Sequence, residues 1–444
     1  MHWTTVKRRI FAGSLAGLWL ISGCGGIQAR DLTADLEPET VDITGLTCGN
    51  GILAAKEAAA GYSVTESGGA VVDEKTGMAV MDFAVGLLRE QMKEGKENEL
   101  LSPLSMVSAL GMTANGAQGE TRKQMEEVMG VSAETLNLCL QYCREIFDQE
   151  EESELHLANS IWFRDDGNFQ LEEDFLRTNT AYYGASLYGA PFDDTTRKDI
   201  NRWVKRETDG MIEEIVEEIP PLAVMYLVNA LSFEAQWQDP YEDFSVDDGA
   251  FFPADGQEET VEMMHSEEYQ YVADEDARGF IKSYQGGRYA FAALLPGEGM
   301  ELEAYVNQLD GMRLYQALKE PEYKTVLATM PKFETEDEIQ AGKLLKNMGM
   351  TDAFDEDLAD FGGIGTYAED NLYISSVLQK TYLQVDQKGT KGGAATAVEL
   401  SSESAAAQEE TEKVEICLDR PFLYVIFERE SGLPLFLGLM DRPV

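Results

Sequence analysis

The histidines are the residues to test first for catalytic chemistry, because a Ser-His-Asp hydrolase needs a histidine within reach of its nucleophile. The chain contains three, His2, His156 and His265. None of them accompanies a G-x-S-x-G nucleophile elbow, and the sequence contains neither a P-loop nor an HExxH zinc motif. The sequence therefore predicts a protein that is not an enzyme and that carries no cofactor.

Cysteine chemistry is the second candidate. Cys139 and Cys143 stand at positions i and i+4 of a predicted helix, a spacing that suits metal ligands. No histidine or second cysteine pair lies nearby in the sequence to complete a site, so we interpret both as small buried side chains and predict no metal. Together with Cys48 and Cys417 they are too few and too scattered for a disulfide framework.

A stretch of small residues near the C-terminus is the third feature of interest. It follows Val385 as DQKGTKGGAATAV and continues with Ala, Ser and Glu to about residue 410. Composition alone predicts only a flexible surface loop over residues 386–410. Its function therefore depends on the elements that hold its two ends.

Those elements mix helices and strands without strict alternation. A helical period of apolar residues begins at Met78, and Thr121 with Gln124 predicts a capping box before an acidic helix. Buried strands are predicted over residues 155–163, 223–233, 325–333, 372–385, 421–428 and 433–439. The pattern predicts an α+β fold with large sheets, in one globular domain over residues 78–444.

The N-terminus has the pattern of a targeting segment. Three basic residues at positions 7–9 precede an apolar run over residues 10–21, which is too short to cross a bilayer as a mature helix. The run leads into Ile-Ser-Gly-Cys at residues 21–24, which resembles the lipobox of bacterial lipoproteins. We therefore predict a lipoprotein signal peptide over residues 1–23 and lipidation of Cys24.

Residues 24–77 are rich in Gly, Ala, Thr and acidic residues and have no sustained period, which predicts a flexible tether. A lipid anchor at Cys24 would hold the protein outside the cytoplasm, on the bacterial cell membrane. The formal net charge of −46, from 35 basic and 81 acidic side chains, argues against partners such as nucleic acid. We expect the protein to be a monomer.

Six segments, in order, resemble the serpin family. They are NELLSPLSMVSALGMTANGAQGETRKQM (98–125), INRWVKRETDGMI (200–212), LVNALSFEAQW (227–237), MPKFETE (330–336), LKNMGMTDAF (345–354) and DRPFLYVIFE (419–428). The resemblance covers about residues 78–444 and implies a serpin-like fold. Such a fold has a large central mixed β-sheet, additional sheets, about eight or nine helices and an exposed C-terminal reactive loop, here at about residues 386–415.

The resemblance implies suicide inhibition of serine, or alternatively cysteine, endopeptidases. In serpins a protease cuts the loop and is trapped as an acyl-enzyme when the cut loop inserts into the central sheet. The matching hinge consists of Gly389, Thr390, Lys391, Gly392, Gly393, Ala394, Ala395 and Thr396. Thr390 is expected to be the first side chain that enters the sheet after cleavage.

The reactive bond follows from the family spacing. About fourteen residues separate the hinge glycine from the cleaved residue, which names Glu403 and Ser404 and suits a protease that prefers acidic residues. The stretch before Pro421 is longer than in compact serpins. Val398, Leu400 and residues 405–407 therefore stay open as alternative cleavage sites.

The resemblance also assigns a sheet-opening region, made of Ser102, Ser105, Asn229, Trp237 and Gln379. Gln379 replaces a common histidine, and its amide can still donate and accept hydrogen bonds. Gly392 and Gly393 stand where inhibitory serpins usually carry alanine, and glycine weakens a strand. A non-inhibitory serpin-fold binding protein, or a protease substrate at the cell surface, therefore stays open as the alternative function.

Heparin accelerates many serpins through a basic helix. The matching region here, residues 134–154, contains Arg144 as its single cation among several acids. We therefore expect heparin not to be a partner.

Overall fold

The computed structural model describes residues 27–33, 62–64, 70–147, 153–165, 167, 169–208, 210, 212–367, 371–391 and 412–443. The α-helices within these ranges are α1 (Glu74–Met92), α2 (Pro103–Ala114), α3 (Gly119–Met129), α4 (Ala133–Phe147), α5 (Glu173–Tyr183), α6 (Asp194–Glu207), α7 (Leu302–Gln308), α8 (Gly311–Lys319) and α9 (Ala341–Met348).

The strands within the same ranges are β1 (Arg30–Asp31), β2 (Tyr62–Val64), β3 (Ala70–Val72), β4 (Glu99–Leu101), β5 (Ser153–Arg164), β6 (Phe169–Leu171), β7 (Ser186–Ala190), β8 (Met225–Gln236), β9 (Val246–Phe251), β10 (Glu259–Ala273), β11 (Ala277–Ser283), β12 (Tyr289–Pro296), β13 (Glu322–Pro331), β14 (Phe333–Gln340), β15 (Gly365–Tyr367), β16 (Ser376–Val385), β17 (Gly389–Lys391), β18 (Lys413–Cys417), β19 (Phe422–Glu428) and β20 (Pro434–Met440).

The central sheet has seven strands in the order β1-β7-β5-β8-β17-β16-β14. It is mixed, because β5 and β7 run parallel, as do β8 and β16, whereas β5–β8 and β14–β16 are antiparallel. Its longest members, β5 and β8, are mostly buried on both faces, which explains why both were predicted from continuous apolar runs.

A second sheet of nine strands packs against the first. Its order is β18-β13-β10-β11-β12-β19-β20-β4, and β9 pairs with β10. Helix α2 is buried along its whole length in the main core. Two of its hydroxyl groups, of Ser108 and Thr113, are satisfied by carbonyls one turn earlier, of Leu104 (2.8 Å) and Ala109 (3.0 Å). This architecture confirms the prediction of an α+β fold with a large mixed sheet and additional sheets.

The predicted capping box at Thr121 is wrong. Helix α3 begins at Gly119, two residues earlier, so Thr121 lies inside the first turn. The Thr121 hydroxyl accepts the amide of Asp360 (2.9 Å), and the Gln124 side chain accepts the amides of Thr351 (3.0 Å) and Asp352 (2.9 Å). Both side chains bind a distant loop rather than the helix end, which a local sequence pattern could not reveal.

The described part of the predicted tether contains regular structure. β1 extends the edge of the central sheet by pairing with β7, and β2 pairs with β3. Helix α1 begins at Glu74, four residues before Met78, because the Asp73 carboxylate accepts the Thr76 amide (2.7 Å). No helix of the described residues is long and apolar enough to cross a membrane.

Two buried carboxyl groups meet between β4 and β14. Glu99 is 1% exposed and Asp337 is 4% exposed. Asp337 accepts hydrogen bonds from the Gln91 amide (2.5 Å), the Leu100 backbone (3.1 Å) and the Lys96 ammonium group. Burial, followed by the negative charge of Asp337, raises the pKa of Glu99 from 4.5 to about 8. The fold therefore favours the protonated form of Glu99.

We expect Glu99→Gln to stabilise the protein at alkaline pH. The unfolded Glu99 ionises near pH 4.5 and the folded one near pH 8, so wild type loses stability as pH rises between these values. The variant should escape a penalty of about 2 to 4 kcal/mol at pH 8 and match wild type near pH 4.5. Thermal midpoints measured across this range test the expectation. Glu338→Gln, at an exposed position of β14, is the control and should leave the pH dependence unchanged.

Candidate functional site

The central sheet contains a seam between β8 and β16, where the ladder is incomplete. At its far end residues 376–379 of β16 pair with residues 226–229 of β8, and at its hinge end β17 lies between the two strands. Between these contacts no ladder pair joins residues 230–233 to residues 380–383, all of which the structure describes. β8 is paired with β5 and β16 with β14 on their other sides. The seam therefore presents two facing strand edges, which can accept a further strand.

Helix α6 packs over the far end of the seam. Its residues Ile200 and Trp203 belong to a cluster with Val228 of β8 and Leu378 of β16, so the helix packs across both strands. A capping box stabilises the start of this helix: the Asp193 carboxylate accepts the Thr196 amide (3.3 Å), and the Thr196 hydroxyl accepts the Asp193 amide (3.4 Å). A strand that entered the seam would have to pass beneath α6.

Gln379 joins the seam to helix α2. Its Oε1 accepts the Ser102 amide (3.0 Å), and its Nε2 donates to the Ser102 carbonyl (2.9 Å) and to the Ser105 hydroxyl (3.3 Å). The amide thus uses both its donor and its acceptor, as the sequence analysis expected of a glutamine at this position. Ser102, Ser105 and Gln379 form one hydrogen-bonded group.

Asn229 lies directly opposite Gln379 in the ladder, but its side chain turns to β5, where its Nδ2 donates to Asn159. The Oδ1 of Asn229 and the hydroxyl of Ser102 are buried, and neither has a hydrogen-bond partner in the described part of the chain. Buried polar atoms of this kind are costly and favour any change that supplies a partner.

The hinge residues Gly389 and Thr390 already lie in the sheet of the uncleaved chain. Thr390 is fully buried opposite Ala235 of β8, and its hydroxyl is hydrogen-bonded to the Tyr284 phenol. This corrects the expectation that Thr390 enters the sheet only after cleavage. Gly389 passes so close to β8 that a Cβ would lie 2.1 Å from the Ala235 carbonyl oxygen, so only glycine fits.

Trp237 supports the hinge rather than the group around Gln379. Its ring stacks on Tyr284 at 4.5 Å, and its Nε1 donates to the Asp386 carbonyl (2.8 Å). The Asp386 carboxylate in turn accepts the amides of Lys388 (2.7 Å) and Gly389 (3.2 Å). The five residues predicted as one sheet-opening region thus divide into two groups, separated by the length of the seam.

Tyr284 is the hinge residue that sequence reasoning missed. It contacts both Thr390 and Trp237, yet it lies directly after β11, in an isolated antiparallel bridge with Trp237, and carries no local motif. Burial raises the pKa of its phenol, which keeps the hydroxyl protonated and able to donate.

Several predicted residues lie outside the described residues. They are Gly392, Gly393, Ala394, Ala395, Thr396, Glu403 and Ser404 of the loop and Cys24 of the N-terminus. Of the cysteines considered for metal, Cys139 and Cys143 are both buried in the main core, which confirms their interpretation as small core side chains. Within the described ranges no group of three or more His, Cys, Asp or Glu residues is arranged to hold a metal ion.

His265 lies in a short polar array that sequence reasoning did not find. Its Nε2 is 3.0 Å from an Asp247 carboxylate oxygen, and its Nδ1 is 3.0 Å from the Thr329 hydroxyl. Thr329 belongs to β13, an inner strand that pairs with β10 on one side and β18 on the other. Backbone amides of an inner strand are committed to the ladder, so they cannot stabilise an oxyanion beside this hydroxyl.

A family profile matches most of the chain. The profile described as Serpin (serine protease inhibitor) matches residues 78–443. Plasminogen activator inhibitor 1 of Sus scrofa is 29% identical over 377 residues, 82% of this chain and 91% of that protein. An uncharacterised serpin-like protein of Thermococcus kodakarensis is also 29% identical, over 82% of this chain and 85% of its own length.

Solved structures show the same likeness. The native state of tengpin, a thermophilic serpin, is 37% identical to this chain with a TM-score of 0.80, and the match covers 94% of this chain and all of that one. The latent state of tengpin is 40% identical with a TM-score of 0.73, over 84% of this chain and 99% of that one.

The Tyr284–Thr390 hydrogen bond should hold the hinge. Tyr284→Phe leaves the Thr390 hydroxyl buried and unpaired, which costs about 1 to 3 kcal/mol. We expect a lower thermal midpoint and roughly tenfold faster amide exchange at residues 390 and 391. Thr390→Val should lower the thermal midpoint similarly, because it leaves the Tyr284 hydroxyl unpaired. The double variant should have a thermal midpoint close to that of wild type, because neither polar partner remains. Strictly additive losses in the double variant would show that the two side chains are not coupled.

Proposed function

Because the chain belongs to the serpin family, we propose that it inhibits a serine or cysteine endopeptidase by trapping the protease on a loop that is cut and then inserted into the seam. Serpins are in general protease inhibitors rather than catalysts. The observation that carries the proposal is the seam. Its two unpaired strand edges begin where β17 ends, and β17 is already paired with both β8 and β16. A loop that enters there completes both ladders.

The covalent step is an acyl transfer. The nucleophile of the protease attacks the carbonyl carbon of Glu403, and the peptide bond to Ser404 breaks. The proton of the nucleophile passes to the departing amine, and an ester or thioester to Glu403 remains. Water would later hydrolyse this bond and free the protease, so inhibition requires insertion of the loop to be faster than hydrolysis.

The register of β17 determines where each loop residue would lie. Thr390 pairs with Ala235 on one side and Val385 on the other. Continued residue by residue, this register brings Thr396 between Asn229 and Gln379. These two residues are now paired with each other, so insertion must separate them. The hydroxyl of Thr396 would arrive beside the unpartnered Asn229 Oδ1.

The same register predicts which loop side chains face the main core. Those that share the face of Thr390 are Gly392, Ala394, Thr396, Val398, Leu400 and Ser402, and none of them is charged. Their partners on β8 are buried, with exposed fractions between 0% (Phe233) and 5% (Leu231). The charged residues Lys391, Glu399 and Glu403 all fall on the opposite face. This alternation with period two is what a strand between two core-facing neighbours requires.

A protease panel tests the proposal directly. Proteases with acidic, elastase-like and subtilisin-like preferences are mixed with wild type, and a complex stable in denaturing detergent is expected with at least one. Ala394→Arg would place a charge opposite the buried Leu231. Burying an unpaired charge costs several kcal/mol, so the yield of complex should fall about tenfold or more while cleavage continues.

Gln408→Arg is the matched control, since it adds the same charge beyond every candidate bond and should keep the wild-type yield. Mass spectrometry of the cut chain identifies the bond. A wild-type yield from Ala394→Arg would contradict insertion in this register. Cleavage of wild type without any complex would instead favour the non-inhibitory alternative, which Gly392 and Gly393 support through their weak strand propensity.

We further propose that the protein is a lipoprotein, anchored at Cys24 outside the cytoplasm. The support is the Ile-Ser-Gly-Cys pattern at residues 21–24 after a short apolar run. An acylated cysteine supplies the multiple chains that stable membrane binding needs.

Cys24→Ala should move the protein from the membrane fraction to the soluble fraction or the medium, because the lipid attachment is lost. Fractionation followed by immunoblotting measures this, with Cys48→Ala as the matched control that should stay with the membrane. Retention of Cys24→Ala in the membrane would show that another element anchors the chain.

A further inference from the structure

Residues 27–33, which we name the strap, are docked on the edge of the central sheet. Arg30 and Asp31 form an antiparallel ladder with Gly189 and Tyr188 of β7, and the Leu32 amide donates to the Leu187 carbonyl (2.8 Å). The strap thus covers an exposed sheet edge as an added strand.

A buried carboxylate on α6 holds the first part of the strap. Asp199 is 1% exposed, and one of its oxygens accepts both the Gln28 amide (2.7 Å) and the Ala29 amide (2.7 Å). Ile27 packs against the cluster beneath α6, and the Arg30 guanidinium group lies 2.9 Å from the Asp165 carboxylate. Hydrogen bonds to a charged carboxylate are stronger than those between neutral groups, so these contacts stabilise the docked strap.

The strap lies at the far end of the sheet, opposite the hinge. Its partner Gly189 aligns with Phe163 of β5, which pairs with Met225 at the start of β8, whereas the hinge pairs with Ala235 near the end of β8. Ten residues of strand separate the two levels, or about 33 Å. Because the strap is antiparallel to β7, its N-terminal end points away from the hinge.

We propose that the strap holds an acylated Cys24 at the far end of the central sheet, so that this end of the domain faces the lipid surface and the reactive loop points away from it. The inference rests on the proposed lipidation of Cys24. Only Gly25 and Gly26 separate Cys24 from Ile27, so three Cα–Cα steps keep the acylated residue within about 11 Å of the docked chain. A free tether from residue 24 to residue 73 would instead allow a span of about 170 Å and no fixed orientation.

Energy transfer to the bilayer tests the orientation. Leu222, at the far end, is 78% exposed. Phe244, at the hinge end, is 88% exposed and lies three residues after Tyr241, whose amide donates to the carbonyl of Gln387 (2.9 Å), two residues before the hinge. Each is replaced by cysteine and labelled with a dye. The background carries Cys48→Ser and Cys417→Ser, and full-length acylated protein is reconstituted into phosphatidylcholine vesicles with acceptor-labelled headgroups. Transfer from position 222 should exceed transfer from position 244 at least about twofold, since the ends lie about 33 Å apart.

Two variants release the strap. Ala29→Pro removes one amide that Asp199 accepts, and Asp199→Ala removes the acceptor. In both, transfer from positions 222 and 244 should become nearly equal. Lys198→Ala is the control, because Lys198 pairs with Asp194 on the exposed side of α6, and it should preserve the difference.

The possible outcomes distinguish a failure of the proposed orientation from a failure of the proposed lipid anchor. Equal and weak transfer from both positions in wild type, with the protein still bound to vesicles through Cys24, would overturn the strap orientation and leave lipidation standing. Failure of wild type to bind vesicles would overturn the anchor. Hydrogen exchange of soluble Cys24→Ala checks docking independently: the Ala29 and Leu32 amides should exchange slowly, and Ala29→Pro should speed exchange at Leu32 about tenfold or more.

Trapping on a membrane gives a second readout, which rests on the proposed inhibition. The register of β17 brings Glu403 beside Leu222 after insertion, at the same end of the sheet as the strap. A trapped protease would then occupy the space between the domain and the bilayer. The domain must move away from the bilayer to make this room, so the strap must detach from the sheet edge. Transfer from position 222 should fall about twofold or more when a trapped protease accumulates. Unchanged transfer despite complex formation would overturn the orientation.

Discussion

The incomplete ladder between β8 and β16 is the constraint on which the rest of the structure depends. Each strand is paired on one side only along residues 230–233 and 380–383, so two rows of backbone donors and acceptors face each other across the seam. Backbone groups left in this way favour any segment that can pair with both edges. The hinge at Gly389 and Thr390 borders this unpaired stretch, and its register assigns a place to every residue that could follow.

Three sets of contacts keep the seam in its present form. Gln379 binds Ser102 and Ser105 beneath it, α6 packs across it through Trp203, and Tyr284 holds Thr390 at its entrance. The first two must break or shift before a strand can reach the level of Asn229 and Gln379, so they set a kinetic barrier. The Tyr284–Thr390 contact instead keeps the register from which the ladder would continue. Some of the opposing drive is visible as unpartnered buried atoms, such as Asn229 Oδ1 and the Ser102 hydroxyl.

The two ends of the central sheet have different surroundings. The hinge end contains a compact aromatic group in which Trp237 stacks on Tyr284, and Tyr284 is hydrogen-bonded to Thr390. The far end carries the strap, whose first amides are bound by the buried Asp199 of α6. The helix that packs over the far end of the seam is also the helix that holds the N-terminal segment. Insertion of a strand beneath α6 and release of the strap would therefore both change the contacts of α6.

The sequence by itself determined the family, the α+β class, the main strands and the hinge, because ordered motifs and continuous apolar runs are local signals. It also identified Gln379 with Ser102 and Ser105. Only the tertiary structure decided that Trp237 belongs to the hinge, that Thr390 is already inserted against Tyr284, and that Thr121 binds a distant loop. It alone paired Glu99 with Asp337 and seated residues 27–33 on β7. These contacts join residues far apart in the chain, and neither composition nor period encodes which distant side chains meet.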